Sequence, residues 1–450
     1  MEAKLEKKYG LITAIAMVVG IVIGSGVFFK AEKILSATGG NLVQGIWAWV
    51  IGGLIMICCA YTFAIMATKY QYVNGVVDYA EATMGSRYGN FVGWFMASIY
   101  YPTLTSVLAW VSARYTAVIL GFDITGGECM VIACFYLVAS FAMNALSPIL
   151  AGKFQVSTTI IKLIPLFLMA IVGTIVGLTN GMTVRNFTQV SESVPSGLFT
   201  AITAASFAYE GWIIATSINA ELENPKKNLP IALIVGTFII MITYILYYIG
   251  LAGTVENEVI MQSGEKGAKL AFQTIFGSAG GTVLFVFVII SCLGTLNGLM
   301  VGCTRGMYSL AVRGFGLKPK MFAQVDEVTN MSHNSAILGL LLCGIWLLYF
   351  YGANLTNSWF GFFSFDSSEL PIVAVYAMYI PIFIRLMITG KELNIFNRYI
   401  MPLLSLVGCV FMVFAACLAH KMSVVAFLII AAIIMIIGFL LNNHNQKLNK

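Results

Sequence analysis

The sequence predicts an all-α polytopic membrane protein of twelve transmembrane helices, ten of which form a five-plus-five inverted-repeat core with broken helices 1 and 6. Three observations lead to this fold class: the composition, the number of long apolar runs, and the interruption of two of those runs by glycine and polar residues. Hydrophobic residues make up 59% of the 450 residues and charged residues only 10%, and the mean hydropathy is +0.90. A soluble globular domain carries roughly 25% charged residues, so this composition excludes that class.

Twelve apolar runs are long enough to cross a bilayer, since a transmembrane helix needs about 20 residues. The runs lie at 11–34, 42–68, 91–120, 128–147, 155–178, 197–220, 231–253, 280–303, 334–353, 357–385, 399–419 and 422–441. We expect three long loops between them: 69–90 and 304–333 on the cytoplasmic side, and 254–279 on the external side. An even number of spans places both termini on one side of the membrane.

The distribution of basic residues orients the chain. If the chain starts in the cytoplasm, most of its 25 lysines and arginines fall in cytoplasmic segments, as the positive-inside rule requires. The first apolar run has no recognisable small-residue cleavage site, so we expect it to remain as span 1 rather than to be removed as a signal peptide. The expected location is the plasma membrane, with several passes and both termini cytoplasmic.

Several classes of function have little support in the composition. The basic residues are scattered and form no patch, so no nucleic-acid partner is expected. The nine cysteines lie in or beside apolar runs without metal-type spacing, and His333, His420 and His444 fall outside the span centres. No span carries a nucleophile and base pair, so we expect no metal, no cofactor and no enzymatic activity.

Span 1 is interrupted halfway by Gly24, Ser25 and Gly26. In hydrocarbon every backbone N–H and C=O must be paired, so an unwound turn survives only inside protein or along a cavity. A second half-helix starting near Ser25 would present unpaired amides and a partial positive charge, which suits a carboxylate. The alternative is that these small residues only allow two helices to pack closely.

Span 6 carries a comparable interruption in the segment Ser206–Trp212, where Glu210 and Gly211 interrupt the apolar run. Spans 1 and 6 begin the two five-helix halves, and an odd number of helices per half makes the second half inverted. Matching interruptions in two such halves indicate the binding site of a secondary transporter. A carboxylic acid at mid-membrane is costly and strengthens this interpretation.

Three motifs at these positions resemble the amino acid/polyamine/organocation transporter superfamily, and in particular the bacterial relatives of the L-type amino-acid exchangers. They are Gly24–Phe28 in span 1, Thr159–Pro165 in span 5, and Phe207–Trp212 with its continuation Glu221–Pro230. The resemblance implies a leucine-transporter-like core, with segments 1–10 (cytoplasmic N-terminus), 11–178 (first repeat), 179–385 (second repeat), 386–441 (accessory helices 11 and 12) and 442–450 (cytoplasmic tail).

The resemblance also implies a substrate site between the two interruptions. The amides of Gly24, Ser25 and Gly26 would bind the α-carboxylate of an amino acid, and backbone carbonyls of the two unwound turns would bind its amine. Phe207 would cover the substrate, and Tyr209 would line the side-chain pocket. The full set of expected substrate-binding residues is Val22, Ile23, Gly24, Ser25, Gly26, Phe207, Ala208, Tyr209, Glu210 and Gly211.

Lys162 matches a lysine that replaces a sodium ion in sodium-independent relatives, and Asn297 is its expected polar neighbour. The alternative is that Lys162 extends along its span to the cytoplasmic surface. Asp366 and Glu369 are three residues apart in span 10 and are expected to share a helix face. They could act on substrate charge, relay a proton, or lie in a wet external vestibule.

The leading expectation is therefore a sodium-independent exchanger of neutral amino acids that works by alternating access. A proton-coupled importer and a cationic amino-acid or polyamine antiporter remain open, because Glu210 could either face the substrate or point away from it. The expected partners are the amino-acid substrate and the lipid bilayer, with no obligatory protein partner.

Overall fold

The computed structural model describes residues 10–70, 75–189, 194–215, 222–326, 331–356 and 359–448. These residues form helices, and the described part of the chain contains no β-strand. The predicted N-terminal segment apart from Gly10, the end of predicted span 6 at 216–220, and Glu221 of the third motif lie outside the described residues.

Ten helices in the described ranges are long and apolar enough to cross a membrane, and two shorter apolar helices accompany them. The long ones are Leu42–Lys69, Ser86–Leu120, Gly127–Leu146, Leu150–Thr179, Pro225–Ala252, Lys266–Ala311, His333–Leu355, Leu370–Thr389, Phe396–His420 and Met422–Asn442. The short ones are Leu11–Gly20 and Gly197–Tyr209. This confirms an all-helical polytopic membrane protein, while the exact number of twelve spans and the inverted repeat stay predictions.

The individual α-helices have bounds that place the interruptions. In chain order they are α1 (Leu11–Val22), α2 (Gly26–Ala37), α3 (Leu42–Lys69), α4 (Val76–Met84), α5 (Ser86–Phe95), α6 (Tyr101–Leu120), α7 (Gly127–Leu146), α8 (Pro148–Ile161), α9 (Leu163–Leu168), α10 (Thr174–Thr179), α11 (Met182–Thr188), α12 (Gly197–Tyr209), α13 (Trp212–Ala215), α14 (Pro225–Ala252), α15 (Asn257–Ser263), α16 (Glu265–Ala311), α17 (Pro319–Phe322), α18 (His333–Phe350), α19 (Leu370–Thr389), α20 (Met401–His420) and α21 (Met422–Leu448). Short π-helical turns join α5 to α6, join α9 to α10, follow α18 and precede α20.

All three predicted loops contain helix. In the predicted loop 69–90, α4 forms and α5 begins at Ser86. In the predicted external loop 254–279, α15 forms first and α16 begins at Glu265. Only Gly277 has a non-helical conformation inside α16 (φ 70°, ψ 172°), a backbone region that glycine adopts without steric cost. In the predicted loop 304–333, α16 continues to Ala311 and α17 follows. Hydropathy alone missed these segments because they are less apolar than the spans.

The chain folds into two compact units that alternate along the sequence. The first contains Met1–Gly89, Leu166–Ile275 and Val373–Ala419, and the second contains Asn90–Pro165, Phe276–Ile372 and His420–Lys450. Both interruptions, after α1 and after α12, therefore belong to the first unit.

Small residues allow helices of the first unit to approach closely. A Cβ atom at Gly250 of α14 would overlap the carbonyl oxygen of Met169, and one at Gly253 would overlap that of Gly173. A Cβ atom at Gly177 would overlap the Cα atom of Gly253. Apolar side chains gain little by leaving lipid for a helix interface, so membrane helices associate through such close backbone packing.

Candidate substrate site at two helix interruptions

The first interruption separates α1 from α2. Ile23 leaves the helical conformation (φ −65°, ψ 113°), although its N–H still donates to the carbonyl of Val19 at 2.9 Å. Ser25 is the N-cap residue of α2 and is buried. The first amides of a helix have no acceptor within it, so α2 directs donors and a positive helix end into the protein interior here.

The first turn of α2 packs directly on α12. A Cβ atom at Gly26 would lie 2.5 Å from the Cα atom of Ala208, so only glycine permits this approach. One turn further on, the rings of Phe29 and Phe207 meet edge to face at 5.8 Å. The close-packing role considered for Gly26 is thus present in the structure, together with the helix interruption.

The second interruption separates α12 from α13. Glu210 is extended (φ −69°, ψ 152°), and Gly211 has φ 109°, a value that strongly favours glycine. The chain resumes helical structure at Trp212, which is buried against Phe63 and Tyr379. The two carboxyl-terminal helix ends of α1 and α12 and the amino-terminal end of α2 therefore meet within one unit.

Tyr244 of α14 links the two interruptions and was missed by the sequence reasoning. Its hydroxyl lies 3.0 Å from the carbonyl oxygen of Ala208 and 3.3 Å from that of Val22, within donating distance of both. These are two of the carbonyls expected to bind the substrate amine. A carbonyl oxygen has two lone pairs, so each can accept a further hydrogen bond. Tyr244 is one of three tyrosines in its span, so nothing in the sequence singled it out.

Tyr209 is turned away from the interruption and towards α3. Its hydroxyl donates to the carbonyl of Trp49 at 2.8 Å, and its ring packs on Trp49 and Tyr244. It is fully buried. Its observed contacts stabilise the packing of α12 against α3, whereas the lining role expected for it stays a prediction.

Residues of α3 and α19 lie near Glu210. Its carboxyl group is within electrostatic range of Cys59, Tyr376 and Tyr379. The residue is partly buried. The sequence left two orientations open for Glu210, and in the one towards neighbouring spans these residues would surround its carboxyl group.

Lys162 and Asn297 both lie in the second unit. Lys162 ends α8 immediately before α9 and is only 1% exposed, so it does not extend to the surface. Asn297 accepts from Asn144 at 2.8 Å and donates to the Ala151 carbonyl and to Gln155, each at 3.2 Å. Both amide hydrogens of Asn297 are used by these bonds, which leaves one oxygen lone pair for any bond to Lys162.

The prediction that Asp366 and Glu369 share a helix face is wrong, because α19 begins only at Leu370. Asp366 accepts hydrogen bonds from the N–H and hydroxyl of Ser368 in a turn. Glu369 is buried and lies 3.1 Å from His420 at the end of α20. Sequence spacing could not reveal this pair, since its members are 51 residues apart.

Other sites have less support in the structure. Within the described ranges, no three His, Cys, Asp or Glu side chains converge on a possible metal position. A cavity of about 430 Å³ in the second unit is lined by apolar side chains such as Leu342, Ile345 and Ile434. It includes none of the expected site residues.

Comparison with known proteins identifies the family of the chain. A family model described as amino acid permease matches residues 9–439. The serine/threonine exchanger SteT of Bacillus subtilis (strain 168) is 28% identical over 428 residues, which cover 93% of each chain. The b(0,+)-type amino acid transporter 1 of Oryctolagus cuniculus is 27% identical over 340 residues, covering 72% of this chain and 67% of that one.

The cystine/glutamate transporter of Homo sapiens is 23% identical over 337 residues, covering 74% of this chain and 64% of that one. By name these relatives are transporters or exchangers, not enzymes. With the family model spanning nearly all of its length, the chain belongs to the amino acid permease family.

Proposed function

We propose that this protein exchanges neutral amino acids across the plasma membrane, without sodium, by alternating access. The observation that carries the proposal is the meeting of three helix ends in one unit. The positive end of α2 suits an α-carboxylate, and the negative ends of α1 and α12 suit an ammonium group. An amino acid carries both groups on the same carbon atom, so a single short ligand can satisfy both kinds of end.

In this proposal the amides of Gly24, Ser25 and Gly26 bind the carboxylate. The carbonyls of the turns formed by Val22 and Ile23 and by Phe207 to Gly211 bind the amine. Phe207 covers the substrate, and Lys162 replaces a sodium ion. Support for the neutral preference comes from the environment of Glu210, and support for exchange comes from the similarity to a serine/threonine exchanger.

The experiment uses purified protein in proteoliposomes and measures uptake of labelled serine. We expect uptake only when the vesicles contain an unlabelled amino acid, with no change when a sodium or proton gradient is imposed. Protein-free vesicles loaded with the same amino acid are the control. Uptake into amino-acid-free vesicles that depends on a proton gradient would contradict the exchanger and support a proton-coupled importer instead.

Substrate charge is tested by competition in the same vesicles. We expect alanine, serine and leucine to inhibit serine exchange, and arginine and putrescine to inhibit weakly, in both wild type and Glu210→Gln. The reason is that the Glu210 carboxyl group is within electrostatic range of Cys59 of α3 and of Tyr376 and Tyr379 of α19, and in this proposal it points towards them. Strong inhibition of the wild type by arginine or putrescine, lost in Glu210→Gln, would instead establish the cationic antiporter.

A further inference from the structure

The cavity of about 430 Å³ in the second unit is a groove between membrane helices. Its lining comes from α5, the carboxyl-terminal part of α16, α18 and α21, and from the connection after α16. Two lining residues are largely exposed: Ile345 of α18 at 63% and Ile437 of α21 at 49%. Both helices are long and apolar enough to cross a membrane, so the groove opens sideways to the bilayer.

The polar groups of the groove are already bonded within the protein. Of the described lining side chains, four carry a nitrogen or oxygen atom, and each of the four has a single hydrogen to donate. The Trp94 indole donates to a carbonyl of α21 at 2.9 Å, and the Trp346 indole donates to the Ser98 carbonyl at 3.0 Å. The Ser98 hydroxyl donates to the Trp94 carbonyl at 2.6 Å. The Tyr349 hydroxyl donates to the Phe363 carbonyl at 2.7 Å. A polar ligand would lose its bonds to water here without replacement, whereas a hydrocarbon chain loses none.

The length of the groove matches one leaflet of a bilayer. Along α18 the lining runs from Leu338 to Tyr349, and along α21 it runs from Ile430 to Leu441. At 1.5 Å per residue each stretch is roughly 16 Å long. The hydrocarbon core is about 30 Å thick, so a single leaflet measures about 15 Å. One extended acyl chain therefore has the length of this groove.

Two exposed lysines lie next to one end of the groove. Leu317 is part of the lining, and it is followed directly by Lys318 and then, two residues later, by Lys320. The N–H of Gly316 donates to the side-chain oxygen of Asn442 at 2.9 Å, which ties this connection to the end of α21. Basic residues at the end of an apolar membrane surface attract anionic lipid headgroups.

We propose that the groove is a binding site for an anionic phospholipid, with one acyl chain along α18 and α21 and the headgroup phosphate near Lys318 and Lys320. The inference goes beyond the proposed function, because it assigns a second ligand, and a different class of ligand, to the unit that does not contain the helix interruptions. The apolar lining accounts for the acyl chain, and the two lysines account for the negative headgroup.

The test uses the purified protein in detergent and a phosphatidylglycerol that carries a photoactivatable diazirine in its acyl chain. We expect the labelled peptides to come from α18 and α21. Unlabelled phosphatidylglycerol should compete at least about fivefold better than phosphatidylcholine, because its headgroup carries a net negative charge.

Filling the groove should prevent labelling. Leu342→Trp is expected to reduce it at least about fivefold, because the indole ring occupies the space of the acyl chain. Leu341→Trp is the matched control, since Leu341 is 60% exposed and does not line the groove. Ile437→Trp fills the groove from the opposite helix and gives a second test in case Leu342→Trp does not fold.

The headgroup contact is tested with the double variant Lys318→Gln/Lys320→Gln. It should lower the preference for phosphatidylglycerol over phosphatidylcholine to about twofold or less. Arg385→Gln/Lys391→Gln removes two exposed charges in the first unit and should leave the preference unchanged.

Three results would overturn the proposal. Wild-type labelling in both Leu342→Trp and Ile437→Trp would mean that the lipid contacts only the outer surface of the helices. Equal competition by the two phospholipids in the wild type would exclude a site for anionic lipid. Stronger competition by cholesterol than by phosphatidylglycerol would make the groove a sterol site. The readout does not involve transport, so its outcome is independent of the proposed exchange of amino acids.

Discussion

A single hydroxyl group, that of Tyr244, reaches both helix interruptions. It lies within hydrogen-bond distance of Val22 at the end of α1 and of Ala208 near the end of α12. Helix ends inside a membrane protein need such partners, because the last carbonyls of a helix receive no N–H donor from within that helix. Tyr244 therefore stabilises the unwound geometry on which the proposed site depends.

Tyr244→Phe is expected to weaken apparent serine affinity about threefold to tenfold, since a net hydrogen bond contributes roughly 0.5–1.5 kcal/mol. The measurement is the concentration dependence of serine exchange in proteoliposomes. Tyr247→Phe is the matched control on the same helix, because the Tyr247 hydroxyl is buried and has no hydrogen-bond partner within the described ranges. An equal effect of the two variants would contradict the role given to Tyr244.

At the scale of elements, the contact between α2 and α12 combines a helix interruption with close packing. Gly26 is the first residue of α2 after the interruption, and it also permits the close packing, because a side chain there would overlap the backbone of Ala208. Substitution at Gly26 therefore tests helix packing as well as substrate access. Loss of binding in a bulky variant would not by itself demonstrate a carboxylate site.

Gly26→Ala is expected to lower the stability of the protein by about 1–3 kcal/mol, as overpacking does in a well-packed interior. Thermal unfolding of the purified protein in detergent measures the change. Gly344→Ala in α18 is the control, because a Cβ atom there meets nothing within 4 Å. Wild-type stability of Gly26→Ala would mean that α2 and α12 are further apart than described.

The hydrogen bond between Glu369 and His420 connects the residue before α19 to the last residue of α20. Removing one partner of a buried polar pair costs about 1–3 kcal/mol. We therefore expect His420→Leu to lower the melting temperature clearly. His333→Leu is the comparison, since His333 and Asp326 are 3.8 Å apart and substantially exposed, and such pairs contribute about 0–1 kcal/mol. Equal decreases in melting temperature for the two variants would show that the buried Glu369–His420 pair stabilises the protein no more than the exposed Asp326–His333 pair.

For the whole molecule, the chain alternates between two units, and the basic residues predict its orientation in the membrane. The span Phe396–His420 separates the basic connection around Lys391 from the turn that begins α21. At 1.5 Å per residue a helix of this length covers roughly 37 Å, enough to cross the hydrocarbon core. Its two ends must therefore face opposite sides of the membrane.

The predicted cytoplasmic termini place Lys391 inside and Ser423 outside. In a background with the exposed Cys134 and Cys417 changed to alanine, a membrane-impermeant maleimide should label Ser423→Cys in intact cells. Lys391→Cys should be labelled only after permeabilisation, which controls for reactivity. The reverse pattern would place both termini outside.

Sequence was sufficient for the class of protein and for the positions of the interruptions. The apolar runs predicted membrane helices because hydrocarbon accepts only a backbone that is paired internally, a condition that length and hydropathy report directly. Gly24 to Gly26 and Glu210 to Gly211 marked the unwound turns because glycine permits non-helical backbone conformations and an ionisable residue is costly inside a membrane. Two of the three family motifs lay on these same residues.

Tertiary structure decided which side chains meet. Tyr244 contacts carbonyls of Val22 and Ala208, His420 contacts Glu369, and Lys30 contacts Phe207, all across distances along the chain that no local pattern encodes. Local periodicity shows which face of a helix is apolar, but not which helix covers it. The burial of Lys30 is the clearest case, because only the packing of α2 on α12 places its ammonium group beside the ring of Phe207.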